Sequence, residues 1–381
     1  MEVSNRFTKF VASRLIEARE IRGMTTTELA KLIGVSQQSV SKYENEGAVP
    51  TFDTLESIST ALELPATFFY KPQVEGNDSV VFFRSKSAAT VKSKKVHSHK
   101  IKWIKEIADY LEQFLELPQV NIPRFITRER YIPTDYTEID EMALKVRELW
   151  GLGNGPISNV VLLLEKMGVI VGRSSFSDYS IDACSFWIDD ERPIMLLSND
   201  KTAARSRFDV AHELAHLVLH SKISQTEFNN KENYKAIENE AHRFAGAFLL
   251  PSPSFGTEVL STSLEHFISL KKRWKVSIGA MSYRSKDLDI FSDYQYINMR
   301  SKMAKNKWLT KEPLDDELPF EEPVLLKQAI EAVIDNRIKT KQDFVSDVGI
   351  HREEIEAIAN LYSGYLLQNE SAKVIPIRFK Q

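Results

Sequence analysis

At 381 residues the chain has room for two or three domains, and 50 Lys and Arg against 53 Asp and Glu, a net charge of −3, exclude a strongly basic chromatin-type protein. The single cysteine, Cys184, excludes intrachain disulfides and cysteine-built metal knuckles. No apolar run approaches the roughly eighteen residues of a membrane span, and residues 1–25 lack a signal-peptide core, so a cytoplasmic protein without membrane contact is expected.

Helical periodicity runs from about Arg6 to Arg22, Thr26 to Ile33, Gln37 to Glu44 and Phe52 to Leu62, and a last short turn closes at Pro65–Phe69. Thr25-x-x-Glu28 reads as a capping box, Gly34 and Val35 as a turn, and Ser36 as the cap of the third helix. Two short helices joined by so tight a glycine turn form a helix-turn-helix. The run from Thr27 to Asn45 resembles the XRE family of DNA-binding domains. The resemblance implies that the third helix enters the major groove of double-stranded DNA. Gln37, Gln38 and Ser41 would then meet base edges, and Ser39, Lys42 and Asn45 bases or phosphates. Acids and bases nearly balance across residues 1–72, and Thr26 stands where the family usually has Gln. Binding by one such domain should therefore be weak, and a homodimer is expected.

Arg84, Lys86, Lys92, Lys94, Lys95, Lys100, Lys102 and Lys105 follow with no acid among them. The composition suggests a flexible connector leading into a helix from about Ser98 to Leu115, either gripping phosphates or simply solvated. Further on, helices are expected at Tyr136–Leu149 and Ile157–Met167, and strands at Val169–Val171, Asp182–Ile188 and Pro193–Leu197. Such a small sheet could offer an edge to an extended peptide.

His212-Glu213-Leu214-Ala215-His216 lies in a stretch free of Gly and Pro, with Phe208, Ala211, Ala215 and Leu219 at helical spacing. Residues four apart in an α-helix point the same way one turn apart. His212 and His216 can thus straddle one Zn²⁺ ion, with Glu213 within reach of its water. A third ligand is expected from a second helix ending before Pro251. There Glu240 borders the apolar stripe of Ala241, Phe244, Ala245 and Phe248. Glu238, turned roughly 200° away, is expected in solvent, and His242 ranks behind both. His220 lies too far along the axis to share the ion and reads as a supporting or capping residue.

These two helices, with Arg205–His220, Glu240–Ala245 and Leu249-Leu250-Pro251, resemble the ImmA/IrrE family of zinc metallopeptidases, although Ala215 stands where Gly is commoner. The resemblance implies zinc held by His212, His216 and Glu240, with Glu213 as general base in peptide hydrolysis. Tyr283, Arg284 and Arg207 are candidates to steady the oxyanion. It also implies a protein substrate, a repressor whose cleavage relieves repression in a prophage, mobile-element or stress circuit. The alternative is a transcription factor whose zinc domain senses or binds a partner and cleaves nothing.

After Ile297 the chain is acidic and Pro-marked from Glu312 to Pro323, then helical from Val324. Its helix-turn-helix-like rhythm at 340–356 carries Glu353, Glu354 and Glu356, which argue against DNA and for packing or oligomerisation. The expected architecture is mostly α with a small sheet (α+β). A five-helix DNA-binding domain spans 1–75 and a basic linker and connecting helix 76–130. A zincin-like metallopeptidase domain spans 131–296 and a helical C-terminal module 297–381.

Overall fold

The computed structural model describes residues 9–72, 82–85, 91–174 and 181–367; Lys86, part of the basic run, lies outside them. The described chain is mostly helical around one small mixed sheet.

Four helices open it: α1 (Ala12–Ile21), α2 (Thr26–Leu32), α3 (Gln37–Glu44) and α4 (Phe52–Leu62), followed by a 3₁₀ turn at Ala66–Tyr70. The Thr25–Glu28 capping box forms in both directions, at 3.2 and 2.7 Å. Ser36 Oγ accepts from the Ser39 amide at 3.1 Å. Gly34 takes a φ of 71°, which the turn between α2 and α3 needs and a β-carbon would resist. Leu15, Leu29, Val40, Ile58 and Phe68 fill the centre of this head.

The connector is not flexible where it is described. Helix α5 (Val91–Leu111) begins well before the expected Ser98, and several of its cations have partners within the chain. Lys95 and His99 meet Glu20 at 2.6 and 2.9 Å, and Lys105 meets Asp109 at 2.7 Å. A buried cluster fastens α5 to the head: Arg14 pairs with Glu17 and Glu106, and Trp103 donates to Glu17 at 2.7 Å. An amphipathic helix finds more stabilisation in covering apolar surface than a solvated linker would, and Ile101, Trp103, Ile104 and Ile107 supply that surface here.

The sheet comprises β1 (Phe82–Ser85), β2 (Ile170–Ser174), β3 (Ile181–Ile188) and β4 (Arg192–Ser198) in the order β1-β3-β4-β2. β3 runs antiparallel to β1 and β4, while β2 runs parallel to β4, pairing Ile170 with Ile194. Alternation sends Cys184, Phe186, Ile194 and Leu196 to one face and Ala183, Trp187, Met195 and Leu197 to the other. The first face joins a core shared with the head, α5 and the C-terminal helices. Gly172 lets α5 approach: a β-carbon there would sit 2.7 Å from Ile104 Cδ1.

The second face shares its core with α6 (Tyr136–Leu149), α7 (Val160–Lys166), α8 (Ala203–Leu219), α10 (Lys231–Leu249), α11 (Ser252–Glu258), α12 (Leu264–Trp274), α13 (Ile278–Asp287) and α14 (Asp293–Lys305), while the short α9 (Gln225–Asn229) packs through Phe228 with Tyr131 and Ile237. α8 lies against β3, where the Trp187 indole donates to the Leu217 carbonyl at 3.2 Å. β3 is bonded to β4 on one side and, over Ile181–Ser185, to β1 on the other, so β1 occupies the first part of the edge that β3 would offer to a peptide.

The acidic Glu312–Pro323 segment is a strap threaded through buried charges. Glu312 and Asp315 pair with fully buried Lys271 at 2.9 and 2.5 Å. Glu321 pairs with Arg207 and accepts from the Val160 amide at 2.7 Å, at the start of α7. The strap delivers α15 (Leu325–Asp335), α16 (Lys341–Val348) and α17 (Arg352–Ile358) to the first face of the sheet. There Glu354 meets Arg22 of the head at 2.6 Å.

Glu165 accepts from the Val324 and Leu325 amides at 3.0 Å each, joining α7 to the start of α15. Burial pushes its carboxyl up from 4.5 to about 7, although those amides pull the other way. The folded value is the higher one. Its ionisation therefore costs nothing below pH 4.5, costs progressively more up to about pH 7, and costs about 3 kcal/mol above that. The urea midpoint should fall across this window, and in Glu165→Gln that component should vanish. An unchanged profile in the variant would show that Glu165 titrates normally.

Candidate metal centre

α8 carries the His-Glu-x-x-His segment in its buried half, where His212, Glu213 and His216 have no solvent exposure. The Nε2 atoms of His212 and His216 lie 3.1 Å apart. Opposite them on α10 stands Glu238, with Oε2 3.4 Å from His212 Nε2 and Oε1 3.5 Å from His216 Nε2. Burial opposes ionisation of Glu238, yet the two imidazoles hold its carboxyl well below the ordinary carboxylate range. His242, one turn along α10, stacks edge-on to His212 at 4.5 Å between ring centres. One donor atom each of His212, Glu238 and His242 falls within 4.8 Å of the others.

Glu238, rather than Glu240, is thus the α10 carboxylate that faces His212 and His216. Glu240 does point inward, but toward a different set of partners. Its Oε1 accepts from the Tyr131 hydroxyl at 2.6 Å and the Thr134 amide at 2.8 Å, and its Oε2 faces His220 Nε2 at 3.0 Å. An apolar stripe tells which side of a helix meets the core, and the cluster of donors lies beside that stripe, where α10 crosses α8. The spacing of Glu238 and His242, four apart like His212 and His216, was the sequence signal for this placement.

Glu240 nevertheless touches the donors through a relay. Burial lowers the pKa of His220, with Glu240 opposing, so its ring is neutral. With its Nε2–H given to Glu240, His220 Nδ1 is an acceptor for the Nδ1–H of His216, 3.0 Å away. That tautomer leaves the His216 Nε2 lone pair directed at Glu238 and His212.

The donor set fits a zinc ion. Two imidazole nitrogens and a carboxylate are donors that zinc takes, the nitrogens lie 3.1 Å apart, and Glu238 turns one oxygen to each of them, Oε2 at 3.4 Å and Oε1 at 3.5 Å.

Of the three oxyanion candidates, two have their donors committed elsewhere. Arg207 reaches Glu321 and the Ile157 carbonyl, and Arg284 reaches Asp140 at 3.0 Å and the Leu250 carbonyl. Tyr283 is half exposed and lines a cleft of about 490 Å³ that opens beside His242.

On the head, Gln37, Gln38, Lys42 and Asn45 of the α3 region are exposed, and Ser39 and Ser41 half-buried. Asn45 donates to the Ser41 carbonyl at 2.9 Å, and Gln37 reaches Thr26 Oγ1 at 3.4 Å.

Residues 15–69 match the helix-turn-helix family, and residues 164–286 match the IrrE N-terminal-like domain, a peptidase family. The chain joins a helix-turn-helix head to an IrrE-like domain. The metal-centre helices α8 and α10 fall inside the IrrE-like match, and α1–α4 span the other. The transcriptional regulator SutR of Escherichia coli is 32% identical over 72 residues, which cover 19% of this chain and 40% of that protein. The likeness to SutR thus spans less than half of either chain. A Mycobacterium tuberculosis transcriptional regulator is 16% identical over 49% of this chain and 50% of its own, with a TM-score of 0.29. ComR from Streptococcus suis is 12% identical over 92% and 94% of the two chains, with a TM-score of 0.16. Likenesses at these scores carry no structural argument. No described helix is long and apolar enough to cross a membrane.

Proposed function

We propose that this protein is a DNA-binding regulator and zinc endopeptidase that cleaves a repressor protein in the cytoplasm and so relieves repression. The observation that carries the reading is the convergence of His212, His216 and Glu238, with Glu213 next to the first of them on α8. When bound, zinc supplies Lewis acidity that activates a water and polarises a peptide carbonyl. His212 and His216 would hold the ion from one helix and Glu238 from the next. His220 and Glu240 fix the ring of His216 so that the correct nitrogen faces it. Glu213 accepts the water's proton and returns it to the departing amine.

The head delivers this chemistry to DNA. Gln37 and Gln38 read bases, with Ser39, Ser41, Lys42 and Asn45 on bases or phosphates, and a homodimer offsets the weak field of a nearly neutral head.

The test is incubation of the purified protein with the repressor encoded beside its gene, with and without chelator. Chelator should abolish the cut. Glu213→Gln should bind zinc normally but cut about a hundred- to ten-thousand-fold more slowly. If wild type and Glu213→Gln regulate identically in cells, the zinc domain is a sensor and the endopeptidase reading falls.

A further inference from the structure

The cleft beside His242 is walled by the first half of α8, by α10, and by α13 and α14. At about 490 Å³ it holds one or two side chains of a bound peptide. Tyr283 and Tyr296, edge to face at 5.9 Å, form one aromatic wall and Phe208 lies on another side.

Its charges do not cancel. Lys201 faces Asp209 at 3.7 Å, Arg284 is held by Asp140 at 3.0 Å, and Asp287 faces Arg243 at 3.5 Å. That leaves Arg205 and Arg300. Arg205 donates to the Leu309 carbonyl at 2.7 Å, which occupies part of its fork and none of its charge. Neither guanidinium has a carboxylate partner among the described residues, and both line the cleft. Two arginines from different helices, α8 and α14, thus bring two uncompensated positive charges to a partly enclosed site bordering the metal donors.

We propose that this cleft is the specificity subsite of the peptidase and that it takes an acidic side chain of the substrate, gripped by Arg205 and Arg300. The proposal rests on the endopeptidase reading for its purpose, though not for its chemistry. A guanidinium presents paired N–H groups that match the two oxygens of a carboxylate, and partial enclosure strengthens that contact relative to open water. The aromatic walls accommodate the chain on either side of the acid. Substrates would therefore carry Asp or Glu close to the scissile bond.

The test uses zinc-loaded full-length Glu213→Gln protein and fluorescein-labelled alanine-rich peptides carrying one Glu, Gln or Lys at each position in turn. Anisotropy should show the Glu peptides binding about tenfold more tightly than their Lys counterparts at one position. Arg205→Glu with Arg300→Glu should reverse that order, and the milder Arg205→Gln with Arg300→Gln should erase it, each checked for an unchanged melting profile. Equal binding of Glu, Gln and Lys peptides, or an acidic preference that survives both variant pairs, overturns the subsite. Wild-type protein is assayed for cleavage in parallel. Acidic preference without any cut keeps the subsite and removes the endopeptidase reading; cutting without acidic preference does the reverse.

Discussion

Glu238→Ala is expected to lower zinc affinity by more than about a hundredfold while leaving the fold intact, because in the proposed site it deletes a direct donor rather than an outer partner. The carboxylate lies at the edge of the core, so its removal creates no deep cavity, and His212 and His216 keep their places on α8. Glu240→Ala should behave in the opposite way. It strips the acceptor from the Tyr131 hydroxyl, the Thr134 amide and His220 at once, all of them buried. Each stranded donor costs about 1–3 kcal/mol, so a loss of roughly 3–5 kcal/mol is expected, with zinc affinity falling only about tenfold as the His216 ring loosens. Competition with a chromogenic chelator measures the first quantity and thermal melting the second. A stable Glu240→Ala protein that has lost zinc, beside a Glu238→Ala protein that retains it, would return the third donor to Glu240.

Glu321→Ala should be among the most destabilising single changes in the molecule. Arg207 is almost wholly buried, and Glu321 supplies both its counter-charge and a cap for the amide of Val160. Removing one partner of such a pair leaves a charge in a medium that cannot solvate it, at a cost of about 3–5 kcal/mol. Arg207→Met combined with Glu321→Ala should recover much of that loss, since the orphaned charge is then gone. Urea titration of Glu321→Ala, Arg207→Met, the double variant and wild type gives the coupling directly. Near-equal midpoints for Glu321→Ala and wild type would mean that the strap bears no weight.

The elements that could be read from sequence are those whose determinants are local. The Thr25–Glu28 capping box, the Gly34 turn and the Ser36 cap lie within a few residues of the backbone groups they satisfy, and α2 and α3 begin where they imply. The metal helix was legible for the same reason, since His212 and His216 sit on one short repeat. What eluded sequence was set by residues far apart in the chain. The direction of Glu238 depends on how α10 crosses α8, and the order of the α5 cations depends on Glu20 in the head. In sequence the Glu312–Pro323 segment shows only as acidic and Pro-marked; the buried cations beneath it are Lys271, Arg207 and Arg173, the last donating to the Glu321 carbonyl at 2.7 Å. Composition alone cannot distinguish an acidic run that faces water from one that neutralises buried cations.

The sheet is a party wall: Cys184 and Leu196 furnish one room, Ala183 and Leu197 the other, and both tenants lean on the same four strands. Cutting the chain after α4 would therefore not release a clean DNA-reading cassette, because α5 and α15–α17 would keep an apolar flank that had lost its cover. Grafting a foreign head onto this peptidase half would have to reproduce the Arg14–Glu17–Glu106 clasp and the Arg22–Glu354 contact as well as the helix-turn-helix itself. Lineages that exchanged only the reading helix α3 would keep the wall standing.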